Sequence, residues 1–287
     1  NVLMAMLVRV GNLEAARNAR QQSISCFREE GHSYLEHFIH IHLADIDVIE
    51  GRLRRALRGL GTAERCLAQS GLTYGNEAEV IEVIRLAVAY ERGEFVKVRD
   101  SSRRLRESLM NGDSWSELFF QLTRICVLSR YFLEGLHAAQ HEIELFQADY
   151  VRRHAGRATT IDVLSAMVWR LEWNSAEAEL YIEMVADVEM HSAVGRFLLA
   201  EQRVLLQQHE PTISDNPRAK IVSELQMAQS QRGQARRNLF ERALSNAFKE
   251  GQIAPFLENR DALLGLSSQI KSIPALRRRP VMLRFAN

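Results

Sequence analysis

Gly51-Arg52-Leu53-Arg54-Arg55-Ala56 decides the fold, because the chain repeats it. The pattern is a small residue, a polar one, a bulky apolar one, two variable positions and Ala or a close substitute. It occurs earlier as Gly11-Asn12-Leu13-Glu14-Ala15-Ala16 and later as Gly93-Glu94-Phe95-Val96-Lys97-Val98. Weaker copies begin at Glu134, ending on Ala139, and at Trp173, ending on Ala178. A second ladder, Gly31, Gly71, Gly112 and Gly156, runs between the first. Both ladders advance by about 40 residues per step, the mark of a stacked repeat.

One unit follows from elementary physics. A helix ends, a tight turn carries the first-ladder residue, and a second helix runs back to the second-ladder glycine. A residue without Cβ can take the left-handed conformation that closes a helix there. Such a pair cannot bury its apolar face alone, so neighbouring units must complete the core. The spacing predicts an all-α fold, a right-handed superhelix of antiparallel helix pairs.

The hairpins are read as follows. A first helix over 1–10 meets a partner over 12–30; 34–50 pairs with 52–70, 77–92 with 94–111, 113–130 with 134–154, and 160–172 with 175–190. Asp113 is the expected N-cap of its helix. A helix over 192–209 follows. Prolines occur only at positions 211, 217, 255, 274 and 280, and proline breaks helix interiors, so the architecture changes near 211. A last pair is expected over 218–230 and 234–249, then an irregular stretch at 253–257 and a terminal helix over 261–272. The division is residues 1–210 as superhelix, 211–274 as a C-terminal repeat with a capping helix, and 275–287 as a linker. The register of the repeats between 192 and 230 stays open.

Composition sets the outer bounds. The chain has 287 residues, 46% hydrophobic and 25% charged, and a net charge of +1. Such a balance gives no overall pull towards nucleic acid or anionic membrane. Three separated cysteines, Cys26, Cys66 and Cys126, read as reduced thiols of a cytoplasmic protein rather than a disulfide framework. No signal peptide and no long apolar run occur, so no membrane partner is expected. The chain begins at Asn1 in what reads as a helix, so a piece of a longer protein is expected.

Chemical motifs are absent. There is no Gly-x-x-x-x-Gly-Lys-(Ser/Thr), no Gly-x-Ser-x-Gly and no His-Glu-x-x-His, and nothing nominates a nucleophile or an acid–base pair. The expectation is no enzyme. His137 and His141 share a helix face, but no third ligand completes a metal set, so no metal is expected. The arginine groups Arg52/Arg54/Arg55/Arg58 and Arg103/Arg104/Arg106 read as solvated outer faces.

Helix pairs with Gly-x-(Leu/Phe)-x-x-Ala at the turn resemble tetratricopeptide repeats lengthened to about 40 residues. The stretch Ala243–Leu264 resembles the close of the helical-repeat region in MalT-like, ATP-dependent LuxR-family transcription activators; Glu250, Gly251, Ile253, Pro255, Phe256 and Leu257 carry that likeness. The resemblance implies a sensor region between an upstream ATP-binding switch and a downstream helix-turn-helix, both outside this chain. Its implied partner is a small-molecule inducer or a regulatory protein. DNA would be met only through the absent helix-turn-helix, and self-association would belong to the full-length protein. The alternative is a tetratricopeptide-like scaffold outside transcription.

Aligning the first helices on their turns nominates one ligand-lining face, neither plain core nor plain surface. Tyr90, Gln121, Arg124, Tyr131, Thr160 and Arg170 lie on it. Arginine could fork onto a carboxylate or phosphate, and tyrosine could stack on a ring. Trp115, Trp169 and Trp173 read either as a stacking platform or as hairpin-closing core.

Overall fold

A computed structural model describes residues 2–10, 12–32, 35–70, 76–111, 116–153, 158–186, 192–206 and 216–263. Among them every regular element is helical and none is a strand. Five consecutive antiparallel pairs come first: α1 (Val2–Arg9) with α2 (Leu13–Glu29), α3 (Glu36–Ile49) with α4 (Leu53–Ser70), α5 (Asn76–Glu91) with α6 (Phe95–Asn111), α7 (Ser116–Glu134) with α8 (Leu136–Arg153), and α9 (Thr159–Leu171) with α10 (Ser175–Ala186). Then come α11 (Ala193–Leu205), the pair α12 (Pro217–Ser230) and α13 (Gly233–Glu250), and two short helices, α14 (Ala254–Glu258) and α15 (Arg260–Leu263).

The two helices of each pair differ in what they bury. The odd-numbered helices α1 to α11 pack against one another in sequence order and form an inner row. Every residue from Leu86 to Glu91 in α5 is buried, as expected of a helix covered on all sides. The even helices keep one wet face. In α4, Leu53, Ala56, Leu60, Ala63 and Leu67 are buried while Arg54, Arg55 and Arg58 are exposed. The arginine-rich stretches answer to acids: Arg55 Nε lies 3.2 Å from Asp47, Arg103 pairs with Glu107, and Arg104 pairs with Glu82.

The turns explain the repeat. At Gly51 (φ 76°) the amide donates to the Val48 carbonyl and the next amide, of Arg52, donates to Asp47. Gly93 (φ 78°) and Trp173 (φ 63°) close α5 and α9 with the same pair of bonds, as does Gly31 after α2. These are Schellman caps, which need a left-handed residue. The fourth turn departs from the sequence expectation. It sits at Gly135 (φ 88°), a residue after Glu134, and closes with one bond from the Gly135 amide to the Tyr131 carbonyl. Helix α7 therefore runs past Arg130, to Glu134. Gly11, Gly71, Gly112, Gly156, Asp113 and everything beyond Leu263 lie outside the described residues, so the terminal helix expected over 261–272 is described only at its start, within α15, and the linker not at all.

The C-terminal unit folds back on the hairpin turns. Asn216 caps α12, its side chain accepting from the Arg218 and Ala219 amides at 2.9 and 3.2 Å, with Pro217 preset for the first turn. The Arg218 amide also donates to the Glu50 carbonyl at the second turn. Gly251 (φ 77°) ends α13 and turns the chain along the row. The stretch expected to be irregular at 253–257 is instead the single-turn helix α14, whose Pro255 needs no amide partner there.

Candidate functional site

Six charged side chains meet where the inner row touches the C-terminal unit. Arg124 of α7 donates to Glu91 of α5 at 2.7 Å and to Glu258 of α14 at 3.3 Å. Arg218 of α12 donates to the other Glu91 oxygen at 2.7 Å, to Glu258, and stands 3.4 Å from Glu201 of α11. Arg170 of α9 donates to the Glu258 carbonyl at 2.6 Å and to Gln202 at 2.8 Å. The Tyr90 hydroxyl donates to Glu258 at 2.5 Å, and the Arg124 guanidinium lies 5.0 Å above the Tyr90 ring. All of these side chains are buried.

Three arginines thus face three glutamates, and the environment treats the acids differently. Burial alone would raise the Glu258 carboxyl, but Arg218 and Arg124 outweigh it and hold the group below the usual carboxylate range. Burial raises the Glu201 carboxyl, and the more distant Arg218 does not cancel that effect. Burial, then the neighbouring Glu258 charge, pushes the Tyr90 hydroxyl well above its ordinary value, so it stays a donor.

The segment 250–260 reaches this cluster along the edge made by the hairpin turns. At the second turn the Arg54 amide donates to the Glu250 carboxylate (2.9 Å), and Gln252 Nε2 donates to the Gly51 carbonyl (3.0 Å). At the third, the Ile253 amide donates to the Glu91 carbonyl at 2.7 Å, and a Cβ on Gly93 would lie 3.2 Å from the Ile253 side chain. At the fourth, Arg260 donates to the Tyr131 hydroxyl at 2.9 Å, and that hydroxyl donates to Glu172 at 2.8 Å. Burial, then this bond to Glu172, pushes the Tyr131 hydroxyl up to about 12. At the fifth, Arg260 donates to the Leu171 carbonyl and lies 5.6 Å over the Trp173 ring.

The structure brings together Tyr90, Arg124 and Arg170, three residues of the face nominated from the sequence, and places Tyr131 nearby in the Arg260 contact. It also changes their setting. Tyr90, Gln121, Arg124, Thr160 and Arg170 are all at most 5% exposed, beneath the chain's own C-terminal unit or within the row. Gln121, one turn before Arg124, forms no side-chain hydrogen bond among the described residues. Trp169 is partly buried against the core, Trp173 is 54% exposed at its turn, and Trp115 lies outside the described residues. Sequence reasoning missed Glu91, Glu201, Arg218, Glu258 and Arg260. The one available signal was Glu91 itself, an acid following the apolar run Ala87-Val88-Ala89-Tyr90 on the face already nominated.

Comparison with known proteins adds no relative: no family model, curated protein or solved structure matches the chain.

Proposed function

We propose that this chain is the sensor and interaction region of a MalT-like transcription regulator, a right-handed superhelix of tetratricopeptide-like hairpins that works by recognition rather than catalysis. The inner row is its recognition face, and the small-molecule inducer or regulatory protein acts on it. Nucleotide binding and DNA binding would belong to other domains of the parent protein. The cluster of Glu91, Arg124, Arg170, Arg218, Glu201 and Glu258 carries this reading. Buried ion groups are a costly way to gain stability, and their better-attested use is to specify one arrangement over another. Here they tie four helices of the row to the C-terminal unit, so a ligand that binds better with that unit displaced would shift the balance between two states. The repeated Schellman turn and the likeness at Glu250–Leu257 support the family; the buried cluster supports the switch.

A thermal-shift screen of the purified chain against sugars, organic acids, acyl-CoAs, aromatic metabolites and nucleotides tests it. A ligand specific for the native state raises the melting temperature as its concentration passes the dissociation constant. The reading expects a concentration-dependent rise with one class, abolished by Arg124→Gln. A flat response across every class refutes small-molecule sensing and leaves a regulatory protein as the partner. A second reading, a scaffold that gathers proteins by peptide segments, is favoured by the contacts that residues 250–260 make with successive turns of the row.

A further inference from the structure

The turns after α3, α5, α7 and α9 each contribute a contact to one short segment of the same chain. One of these contacts is a main-chain bond that any peptide could make, the Ile253 amide to the Glu91 carbonyl, and one offers the Arg54 amide to a side-chain carboxylate, that of Glu250. Others read side chains: Arg124 and Tyr90 receive the Glu258 carboxylate, and Ala254 and Leu257 join the apolar core of the row. Main-chain pairing for affinity and side-chain pockets for specificity is how folded domains bind peptides from other proteins. Charge-assisted forks on a carboxylate add selectivity for acidic sequences.

The internal fit is incomplete. Among the described residues, Gln121 lacks partners on both side-chain polar atoms, and so do Nε of Arg124, Nε of Arg218 and Nε2 of Gln202, all buried. Buried polar atoms without partners are rare and destabilising. They mark a surface whose hydrogen-bonding capacity the resident segment does not exhaust.

We propose that the edge formed by these turns is a docking groove for an acidic peptide of a regulatory partner protein, and that residues 250–260 occupy it in cis as a built-in competitor. The peptide carries two carboxylates spaced like Glu250 and Glu258, on either side of apolar residues placed like Ala254 and Leu257. The first caps the Arg54 amide; the second enters between Tyr90, Arg124 and Arg218. This inference rests on the recognition reading above and names its partner class.

The test uses the whole chain and a fluorescein-labelled synthetic peptide of residues 248–263. A tethered competitor acts at an effective concentration on the order of millimolar, so micromolar peptide cannot displace it from the wild-type chain. A chain carrying Glu250→Ala, Ile253→Asp and Glu258→Gln weakens the resident segment and leaves the groove untouched. That chain is expected to bind the peptide at least about tenfold tighter than wild type, with the gain lost on adding Arg124→Gln. A variant with wild-type far-ultraviolet circular dichroism that does not bind the peptide overturns the proposal.

Hydrogen exchange on the wild-type chain decides the matter independently, whether or not the variant folds. The 251–259 amides are expected to exchange at least about tenfold faster than those of α5 and α7, through local opening. Exchange of both sets at one common rate makes the segment part of a single cooperative unit and overturns the proposal. A failed peptide beside a positive thermal-shift ligand removes this inference and leaves the sensor reading standing.

Discussion

Replacing Arg218 by Met should destabilise the chain more at pH 8 than at pH 5. Arg218 is fully buried and is the counter-ion of Glu91 at 2.7 Å and of Glu258, with Glu201 at 3.4 Å. Methionine keeps a stem of similar length but removes the charge, and with it the guanidinium 5.6 Å over the Phe197 ring. Glu91 and Glu258 then keep Arg124, at 2.7 and 3.3 Å, while Glu201 loses the guanidinium 3.4 Å away. Breaking a buried pair by removing one partner costs about 3–5 kcal/mol. The folded chain can limit that loss by taking up a proton on Glu201 or Glu258. A carboxyl whose folded pKa is raised binds more protons folded than unfolded, so its contribution falls as pH rises, by about 1.4 kcal/mol per unit between the two pKa values. The deficit relative to wild type should therefore grow from pH 5 to pH 8. Urea unfolding followed by circular dichroism reads it: with a slope of about 1–3 kcal/mol per molar, the midpoint should fall by about 1 M or more at pH 8. Adding Glu201→Gln should return part of the loss. A pH 8 shift under about 0.3 M, or a larger shift at pH 5, would refute the idea that Arg218 neutralises this cluster.

Other outcomes follow from single positions. Gly51→Ala places a Cβ in overlap with Gln252 Nε2 and 2.9 Å from the Arg218 Cβ, whereas at Gly135 nothing lies within 4 Å. Both substitutions carry the left-handed backbone penalty of about 1–2 kcal/mol, so Gly51→Ala should lower the melting temperature by clearly more than Gly135→Ala. Asp45 is buried, and burial, then the Glu117 charge, raises its carboxyl to about 8. The folded state holds that proton up to about pH 8 while the unfolded chain releases it near pH 4, so stability falls as pH rises between them; Asp45→Asn should flatten this slope and raise the melting temperature at pH 8 more than at pH 5. Trp173 holds a left-handed φ of 63° without being glycine. Trp173→Gly and Trp173→Ala both lose the ring over Arg260, so the Gly variant should be the more stable by about 1 kcal/mol in chemical denaturation.

The helices were legible because each signal is local. Apolar spacing marks a buried face, and a glycine at the turn marks a left-handed cap, so the pairs from α1 to α10 lie within a few residues of their sequence-read spans. The fourth turn slipped because Glu134 fits the position that Gly135 takes structurally. Residues 254–258 were hidden by Pro255, which reads as a breaker yet starts a helix without penalty. The inner face was half legible. Tyr90, Arg124 and Arg170 were found by aligning the row on its turns, but what covers them was not. Glu258 meets Arg124 across 134 residues of chain, and no local pattern encodes such a pairing. Charged residues read as surface by default, so Glu201 and Arg218 gave no sign of burial. Trp173 read as platform or core, and the structure makes it a turn residue facing Arg260.

The account stands on the contact between the inner row and the C-terminal unit, and a double-mutant cycle on Arg124 and Glu258 tests that contact most directly. Stabilities of the wild-type chain, Arg124→Met, Glu258→Gln and the double variant give their coupling energy. Residues in direct contact within one ion network couple by about 0.5–3 kcal/mol, while distant ones add to within about 0.3–0.5 kcal/mol. The account predicts coupling of at least about 1.5 kcal/mol, because Arg124 and Glu258 meet directly, 3.3 Å apart, inside one buried ion network. Additivity within about 0.5 kcal/mol would mean that the C-terminal unit does not seat Glu258 on the row, and would contradict the account.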